Sequence, residues 1–410
     1  MDVRRVEPGL RSESVRRANL SAVARKLHDS GSLSRSQLGV RTGLTRSTIR
    51  ALIGEFVAAD LVSETPGPLG TPGRPSVLVN PNPDRPLALA LEIEVDSIAA
   101  AIVGFGGRVH QMLRVERPRG ELAVEQTVAD LSALARRLDG FADVRTEAVG
   151  IGVAVAGVVR QPDGLVLLAP NLGWRDVALG HALRQALGSF VPISVANDAD
   201  LGALAEARRG AARGSDNILY VSGAVGVGGG IIVDGRALAG VAGYGGEVGH
   251  LPMEPEGAQC RCGARGCWET LIGEDALLVR AGRAHGGGRE AVDAVLADAR
   301  EDDAAAVEAV EHVCRWLGYG LGGLANVLNP ERIVLGGIFG RLEALAGGTI
   351  RGELDRHSVR ATRELVTVVP AQLAEAAPLL GAAELAFEAF LADPAAWLRP
   401  EPTLAIAAGE

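Results

Sequence analysis

A cluster of metal-ligand side chains constrains the fold of this chain more than any other feature of its sequence. Four such residues fall inside a stretch of eighteen positions: His250, Cys260, Cys262 and Cys267. Three thiolates and one imidazole match the ligands of a closed, tetrahedral zinc site, so we predict that these residues bind Zn2+. The metal can be purely structural. The flanking carboxylates Glu247 and Glu269 are not needed as ligands, however, and they indicate an adjoining pocket for a polar molecule.

Length and composition limit the class of protein. With 410 residues, the chain is long enough for two or three domains. Its apolar stretches are short and interrupted by Gly, Asp or Arg, so we predict no membrane contact through a spanning helix. The first five residues lack the apolar core of a signal peptide. Three clustered cysteines out of four fit a reducing compartment better than a disulfide framework, and we expect a cytoplasmic protein.

Charge is distributed unevenly along the chain. Residues 1–80 contain twelve Arg or Lys and seven Asp or Glu, whereas the other 330 residues contain 29 and 43. A basic N-terminal segment on an acidic body suggests that this segment alone meets a polyanion.

The pattern of residues 1–80 is typical of a winged helix-turn-helix domain. A first amphipathic helix covers 15–28, and the capping-box pattern Ser34-Arg35-Ser36-Gln37 opens a second. Thr45 is the predicted N-cap of a third helix. Its predicted buried stripe consists of Ile49, Leu52, Ile53, Phe56 and Val57. Segments 61–64 and 76–79 then predict a two-stranded wing around a Pro/Gly loop.

We predict that this domain binds DNA. Short polar and arginine side chains near a helix N-terminus suit base edges and phosphates, and a single arginine on a narrow loop suits a minor groove. The predicted DNA contacts are Arg46, Ser47, Thr48 and Arg50 on the third helix and Arg74 at the tip of the wing. The alternative is a three-helix protein-interaction module with a solvated arginine face.

The rest of the chain has the alternating pattern of an α/β body. The Asn/Pro-rich segment 81–86 predicts a linker. Alternating strand and helix patterns then predict two related lobes with a cleft between them. We assign 87–196 to the first lobe, completed by a C-terminal helix at 376–397, and 197–375 to the second, which contains the zinc site. The glycines at 228–230 and 336–337 are interpreted as tight turns.

Several motifs in this chain resemble those of the ROK family (repressors, open reading frames and sugar kinases), in particular its repressor branch. In the N-terminal domain of residues 1–80, called the head, these are residues 34–38, 42–46 and 73–75. In the body they are Ala-Pro-Asn-Leu-Gly-Trp at 169–174, Asn-Asp-Ala-Asp at 197–200, Gly-Gly-Glu-Val-Gly-His at 245–250, and Cys-x-Cys-Gly-x-x-Gly-Cys-x-Glu at 260–269. The resemblance implies an actin-like, ribonuclease-H-type two-lobed body that forms a homodimer or homotetramer.

The resemblance also implies a sugar pocket. The residues at the family's sugar-contacting positions are Asn197, Asp198, Glu247, His250 and Glu269. Carboxylates and an amide offer many acceptors for hydroxyl groups, and a metal-bound histidine keeps one ring nitrogen free to donate. Taken alone, the Asn197-Asp198 pair is equally well explained as a turn that caps the following helix.

The two phosphate-binding turns of a ROK kinase are altered in this sequence. The first, Asp-x-Gly-Gly-Thr in the family, corresponds here to Glu92-Ile93-Glu94-Val95-Asp96. The second, Gly-Thr-Gly-x-Gly, corresponds to residues 224–228 and lacks the threonine. Carboxylates beside a triphosphate repel it, so we interpret Asp198, at the family's general-base position, as a hydroxyl acceptor rather than a catalyst.

The sequence therefore predicts a zinc-containing, sugar-responsive transcriptional regulator, a repressor that binds operator DNA as a homo-oligomer and is not an enzyme. Two alternatives remain open. One is an active ATP-dependent sugar kinase with a fused DNA-binding head. The other is a DNA-binding protein whose body senses no sugar and only holds the oligomer together.

Overall fold

The computed structural model describes residues 12–67, 77–120 and 123–398. In these ranges a small helix-rich head precedes an α/β body built on two five-stranded sheets. This arrangement confirms the predicted fold class. Each helix in the described ranges is too short or insufficiently apolar to cross a membrane.

Local capping interactions shape the head. Its elements are α1 (Ser12–Ser30), β1 (Leu33–Ser34), α2 (Arg35–Thr42), α3 (Arg46–Ala58), β2 (Val62–Pro66) and β3 (Val77–Pro81). The predicted capping box is present: the backbone N–H of Gln37 donates to Ser34 Oγ, and that of Ser34 donates to Gln37 Oε1. Thr45 caps α3 as predicted. The buried residues of α3 are Ile49, Leu52, Ile53 and Phe56, whereas Val57, predicted to extend the stripe at the end of the helix, is exposed.

The first five-stranded sheet has the order β11-β7-β4-β5-β6. Strands β7 and β11 are parallel to β4, whereas β4, β5 and β6 form an antiparallel meander. The first turn of this meander, at residues 94–96, places Glu94 and Asp96 at the end of the sheet. The elements are β4 (Leu87–Ile93), β5 (Ser97–Gly104), β6 (Val109–Glu116), α4 (Val124–Ala135), α5 (Phe141–Glu147), β7 (Ile151–Val155), β8 (Val158–Arg160), β9 (Leu165–Ala169), β10 (Trp174–Val177), α6 (Leu179–Leu187) and β11 (Ile193–Asn197).

The second five-stranded sheet has the order β14-β13-β12-β15-β16, with β15 parallel to both β12 and β16. The last long helix, α14, returns to pack on β4 and β7 of the first sheet. The elements are α7 (Asp198–Arg209), β12 (Ile218–Gly223), β13 (Val227–Val233), β14 (Arg236–Ala237), α8 (Glu269–Ile272), α9 (Glu274–Arg280), α10 (Gly288–Arg300), α11 (Ala304–Leu328), β15 (Arg332–Gly337), α12 (Ile338–His357), α13 (Arg360–Arg363), β16 (Thr367–Pro370) and α14 (Ala377–Ala392).

Glycines bring α7 into close contact with both halves of the body. A Cβ atom at Gly230 of β13 would lie 2.5 Å from the carbonyl oxygen of Ala199, and one at Gly381 of α14 would lie 2.0 Å from that of Leu201. The turn role predicted for residues 228–230 is therefore wrong, because these glycines lie inside β13. Gly230 is needed because the backbone of α7 approaches the strand there, and Gly229 because Val248 lies against it.

Candidate functional site

The four predicted metal ligands lie together in the folded chain. The ligand atoms of His250, Cys260, Cys262 and Cys267 are all within 4.8 Å of one another. The Sγ atoms of Cys262 and Cys267 are 3.7 Å apart, and Cys260 Sγ lies 3.7 Å from His250 Nδ1. A tetrahedral Zn2+ with Zn–S bonds of about 2.3 Å separates neighbouring sulfurs by roughly 3.8 Å. The cluster therefore has the ligand types and spacing of a metal site.

Backbone contacts hold the loop that supplies these ligands. Single β-bridges join Pro252 to Cys267 and Gln259 to Arg265, so the loop folds back on itself between His250 and α8. Burial raises the pKa of the Cys260 thiol above its usual value, and Cys260 Sγ donates a hydrogen bond of 2.8 Å to Glu269 Oε1. A bound dication would convert the thiols to thiolates and remove this donor from Glu269.

The two ring nitrogens of His250 have different neighbours. Nδ1 lies 3.7 Å from Cys260 Sγ, whereas Nε2 lies 3.9 Å from Glu247 Oε2. Glu269 Oε1 is 3.7 Å from Nδ1, and the backbone N–H of Val227 donates to Glu269 Oε2 at 3.4 Å. If Nδ1 binds a metal, Nε2 keeps its hydrogen and can donate to a ligand beside Glu247.

Asn197 has the helix-capping role that the sequence left open. Its Oδ1 accepts hydrogen bonds from the backbone N–H groups of Ala199 (2.8 Å) and Asp200 (3.2 Å), and its Nδ2 donates to the carbonyl of Gly157 (2.9 Å). Both acceptor positions of the amide are therefore used within the protein. Only the second N–H of Nδ2 remains to contact a ligand, so Asn197 serves mainly to fix the start of α7.

Carboxylates crowd the space between α7 and the metal-type loop, which is residues 250–267 with the four predicted metal ligands. Burial, reinforced by Glu94, raises the pKa of Asp198 to about 7. Burial together with the charges of Glu247 and Asp198 raises the pKa of Asp200 to about 7. Near neutral pH such carboxyl groups are protonated part of the time, so they can donate to hydroxyl groups as well as accept from them.

Sequence reasoning missed two residues of this site. Asp200 and Asn171 both fall inside ROK-type motifs but were not predicted as site residues, although two acids in the first turn of a helix are a signal for Asp200. Asn171 follows β9, and its Oδ1 accepts a hydrogen bond of 2.6 Å from Arg261 Nη1, in the metal-type loop. A Cβ at Gly226 would lie 3.0 Å from Glu269 Oε2 and 3.5 Å from Asn171 Nδ2, so Gly226 lies beside both side chains.

Ion pairs occupy the region of the first altered phosphate turn. Arg119 Nη2 lies 2.8 Å from Asp96 Oδ2 and 2.9 Å from Glu274 Oε2, so it joins the β4–β5 turn to α9. Arg289, of α10, lies 3.7 Å from both Glu94 Oε2 and Asp96 Oδ1. The acids of this turn therefore face the protein's own guanidinium groups. The turn also lacks the glycines that would let a phosphate approach the backbone.

The face of α3 predicted to contact DNA is open to solvent at Arg46, Ser47 and Arg50. In the described part of the chain neither arginine forms an ion pair. Thr48 is half-buried, and its backbone N–H and hydroxyl both contact the cap residue Thr45. Arg74, the predicted contact at the wing tip, lies outside the described residues.

The model of the ROK family matches residues 88–389. The chain belongs to the ROK family. Its similarity to xylose repressor of Bacillus spizizenii is 26% identity over 92% of this chain and 97% of that protein. Glucokinase of Streptomyces coelicolor is 31% identical over 74% of this chain and 98% of its own length.

Solved ROK structures show the same difference in coverage between regulators and kinases. A ROK family transcriptional regulator, described as a homolog of the E. coli MLC protein, superposes with a TM-score of 0.76 at 25% identity, over 94% of this chain and 99% of its own. A ROK glucokinase from Streptomyces griseus, in complex with glucose and AMPPNP, gives 0.64 at 29% identity, over 73% and 98%. The repressor and the regulator thus match this ROK chain almost throughout, whereas the kinases match about three quarters of it.

The ligand cluster generates a prediction about metal content. We expect the purified protein to contain about one Zn2+ per chain, as a four-ligand site binds one ion. Cys262→Ser should lower this content severalfold, because the site loses one of its three thiolates. Metal analysis by mass spectrometry on folded protein measures the effect. Cys314→Ser is the matched control, since Cys314 is buried in α11 away from the cluster. Unchanged zinc in Cys262→Ser would contradict the ligand assignment.

Proposed function

We propose that this ROK protein is a sugar-responsive transcriptional repressor. In this proposal the head binds operator DNA, and the body binds a sugar between α7 and the metal-type loop. The observation that carries it is the β4–β5 turn, where Glu94 and Asp96 engage the guanidinium groups of Arg119 and Arg289. These arginines are therefore not free to bind a triphosphate, and the turn lacks the glycines that would bring phosphate to the backbone. The side chains around Asp198 and His250, in contrast, are suited to hydroxyl groups.

The proposed sugar contacts are Asn197, Asp198, Glu247, His250 and Glu269, to which the geometry adds Asp200 and Asn171. Asp198 and Glu247 accept from hydroxyl groups, and His250 Nε2 donates to one. The residues proposed to hold Zn2+ are His250, Cys260, Cys262 and Cys267, and the ion would fix the ring of His250 and deprotonate the three thiols. Glu269 Oε1, no longer bound to a thiol, is then free to accept from the sugar.

The names of relatives support both halves of the proposal. Xylose repressors match the head together with the body, and the Streptomyces griseus glucokinase, which is similar to the body, is in complex with glucose and AMPPNP. A homo-oligomer would present two heads to a two-fold symmetric operator, with Arg46 and Arg50 of α3, and Arg74 of the wing, as DNA contacts. A sugar that prefers one conformation changes operator affinity by a coupling free energy of about 1–3 kcal/mol.

Glu269→Gln tests the sugar pocket. We expect affinity for D-glucose or D-xylose to fall about tenfold or more, since a hydrogen bond to a charged group contributes about 1.5–3 kcal/mol. Isothermal titration calorimetry measures the affinity, and the zinc content should stay unchanged. Glu256→Gln is the matched control, because Glu256 is exposed on the same loop. Equal affinities in the two variants would remove Glu269 from the pocket, and no heat with either sugar in the wild-type protein would refute sugar sensing.

A kinase assay distinguishes the repressor from the alternative of an active sugar kinase, which the glucokinase relatives favour. With Mg-ATP and D-glucose or D-xylose, we expect no sugar-dependent release of ADP, because the ion-paired β4–β5 turn does not accept the phosphates. A coupled ADP assay measures turnover. Sugar-dependent turnover that disappears in Asp198→Asn would overturn the proposal.

Arg46→Ala tests the DNA face. The variant should bind a duplex, selected by the wild-type protein from a random pool, about 1–3 kcal/mol more weakly, as expected for an arginine that contacts a base. Fluorescence anisotropy at fixed salt measures this affinity, and sugar binding should not change. Arg236→Ala, an exposed arginine of the body, serves as the control. If both variants bind the duplex like the wild-type protein, α3 is not the recognition helix.

A further inference from the structure

Helix α7 joins the candidate sugar site to the head. Its first turn contains Asp198 and Asp200, and its last residues are Arg208 and Arg209. A helix of 12 residues is about 18 Å long, so the same rigid element reaches both places.

The C-terminal end of α7 is hydrogen-bonded to a buried carboxylate of α14. Glu384 of α14 is only 2% exposed. Its Oε1 accepts from Arg209 Nε at 2.8 Å, and its Oε2 accepts from Arg208 Nη1 at 2.9 Å and from His28 Nε2 at 2.8 Å. Burial alone would raise the pKa of Glu384, but His28, Arg209 and Arg208 outweigh it and hold that pKa well below its ordinary value. The carboxylate is therefore charged and bonded to α7 and to the head at once.

His28, near the end of α1, is held by hydrogen bonds to both ring nitrogens and by contacts with two aromatic rings. Its ring is fully buried, with centroids 4.7 Å from Phe387 and 5.5 Å from Phe105. The backbone N–H of Gly106 donates to Nδ1, so Nε2 carries the hydrogen that Glu384 accepts. Arg209 Nη1 also donates to the carbonyl of His28 at 2.7 Å. A shift of Arg209 relative to α14 would therefore break contacts with the head.

A second, more exposed carboxylate repeats the connection. Glu388 Oε2 accepts from Arg25 Nη2 of α1 at 3.0 Å, and Glu388 Oε1 accepts from Arg208 of α7. Asp393, just after α14, also pairs with the head, through Arg17 at 3.4 Å, but α7 takes no part in that pair. The two carboxylates have similar side-chain exposure, 34% for Glu388 and 40% for Asp393.

The first turn of α7 has no room to move independently of its neighbours. Gly230 of β13 lies against the backbone of Ala199, and Gly381 of α14 lies against the backbone of Leu201. Close-packed interiors transmit strain instead of damping it. A displacement of the first turn therefore moves α7 as a rigid helix, together with α14, and reaches its last turn.

We propose that α7 transmits the occupancy of the sugar site to the DNA-binding head, with Glu384 and Glu388 as the positioning residues that connect it to α1. This inference rests on the proposed function and specifies its regulation. A ligand that contacts Asp198 and the metal-type loop displaces α7, and the Arg208–Glu388–Arg25 and Arg209–Glu384–His28 connections carry the displacement to the head.

The test compares Glu388→Gln and Glu384→Gln with the matched control Asp393→Asn in the full-length, zinc-loaded protein. Calorimetry with D-glucose and D-xylose measures sugar affinity. Anisotropy with the selected duplex measures DNA affinity with and without sugar. Hydrogen exchange of residues 12–30 reports directly on α1. Thermal melting verifies that each variant is folded, and Glu388→Gln decides the result if Glu384→Gln does not fold.

In the wild-type protein and in Asp393→Asn, we expect sugar to change duplex affinity by about fivefold or more and to alter exchange in α1. In Glu388→Gln, sugar affinity should remain within about twofold of wild type while both effects largely disappear. The inference is wrong if sugar still changes duplex affinity and α1 exchange fully in Glu388→Gln and in folded Glu384→Gln. It is also wrong if Asp393→Asn loses these two effects to the same extent as Glu388→Gln. If the wild-type protein binds sugar but neither its duplex affinity nor its α1 exchange changes, the connection through α7 is refuted and the sugar site is not. If the wild-type protein binds neither sugar, the proposed function is refuted together with this inference.

Discussion

The close packing of α7 between β13 and α14 is the constraint on which the rest of this structure depends. Glycine is required at residues 230 and 381 because the backbone of α7 leaves no space for a Cβ atom. Through these contacts one helix fixes the start of the candidate sugar site, the relation of the two sheets, and the attachment of the head. The packing of α7 therefore positions both the carboxylates of the candidate site and helix α1 of the head.

Local features of the site could be predicted from the sequence. Cys260, Cys262 and Cys267 are close in the chain, so short loops bring their sulfurs together whatever surrounds them. The Ser34–Gln37 capping box and the Thr45 cap likewise depend on residues three positions apart, and the structure confirms them. The ROK motifs fixed the fold class of the body. The domain boundaries and the roles of individual site residues stay predictions.

Contacts between residues that are far apart in the chain could not be predicted from the sequence. The residues around Arg119 do not indicate its partner Glu274, which lies 155 positions away. His28 and Glu384 are separated by 356 positions. The same holds for Gly230, whose predicted turn role was wrong because the close approach of α7 cannot be read from the residue pattern of a strand. Asn197 shows a subtler limit: a motif identifies the residue, but only the fold shows that its amide oxygen already caps α7.

The arginine pairs beside the β4–β5 turn have a consequence for what such a regulator reports. A kinase consumes its sugar and releases a product, so its output follows metabolic flux and ends when ATP is exhausted. If this cleft, whose acids pair with Arg119 and Arg289, only binds the sugar, each encounter ends by dissociation and leaves the molecule unchanged. Its signal would then track the free pool of that sugar at equilibrium, reversibly and independently of cellular energy charge.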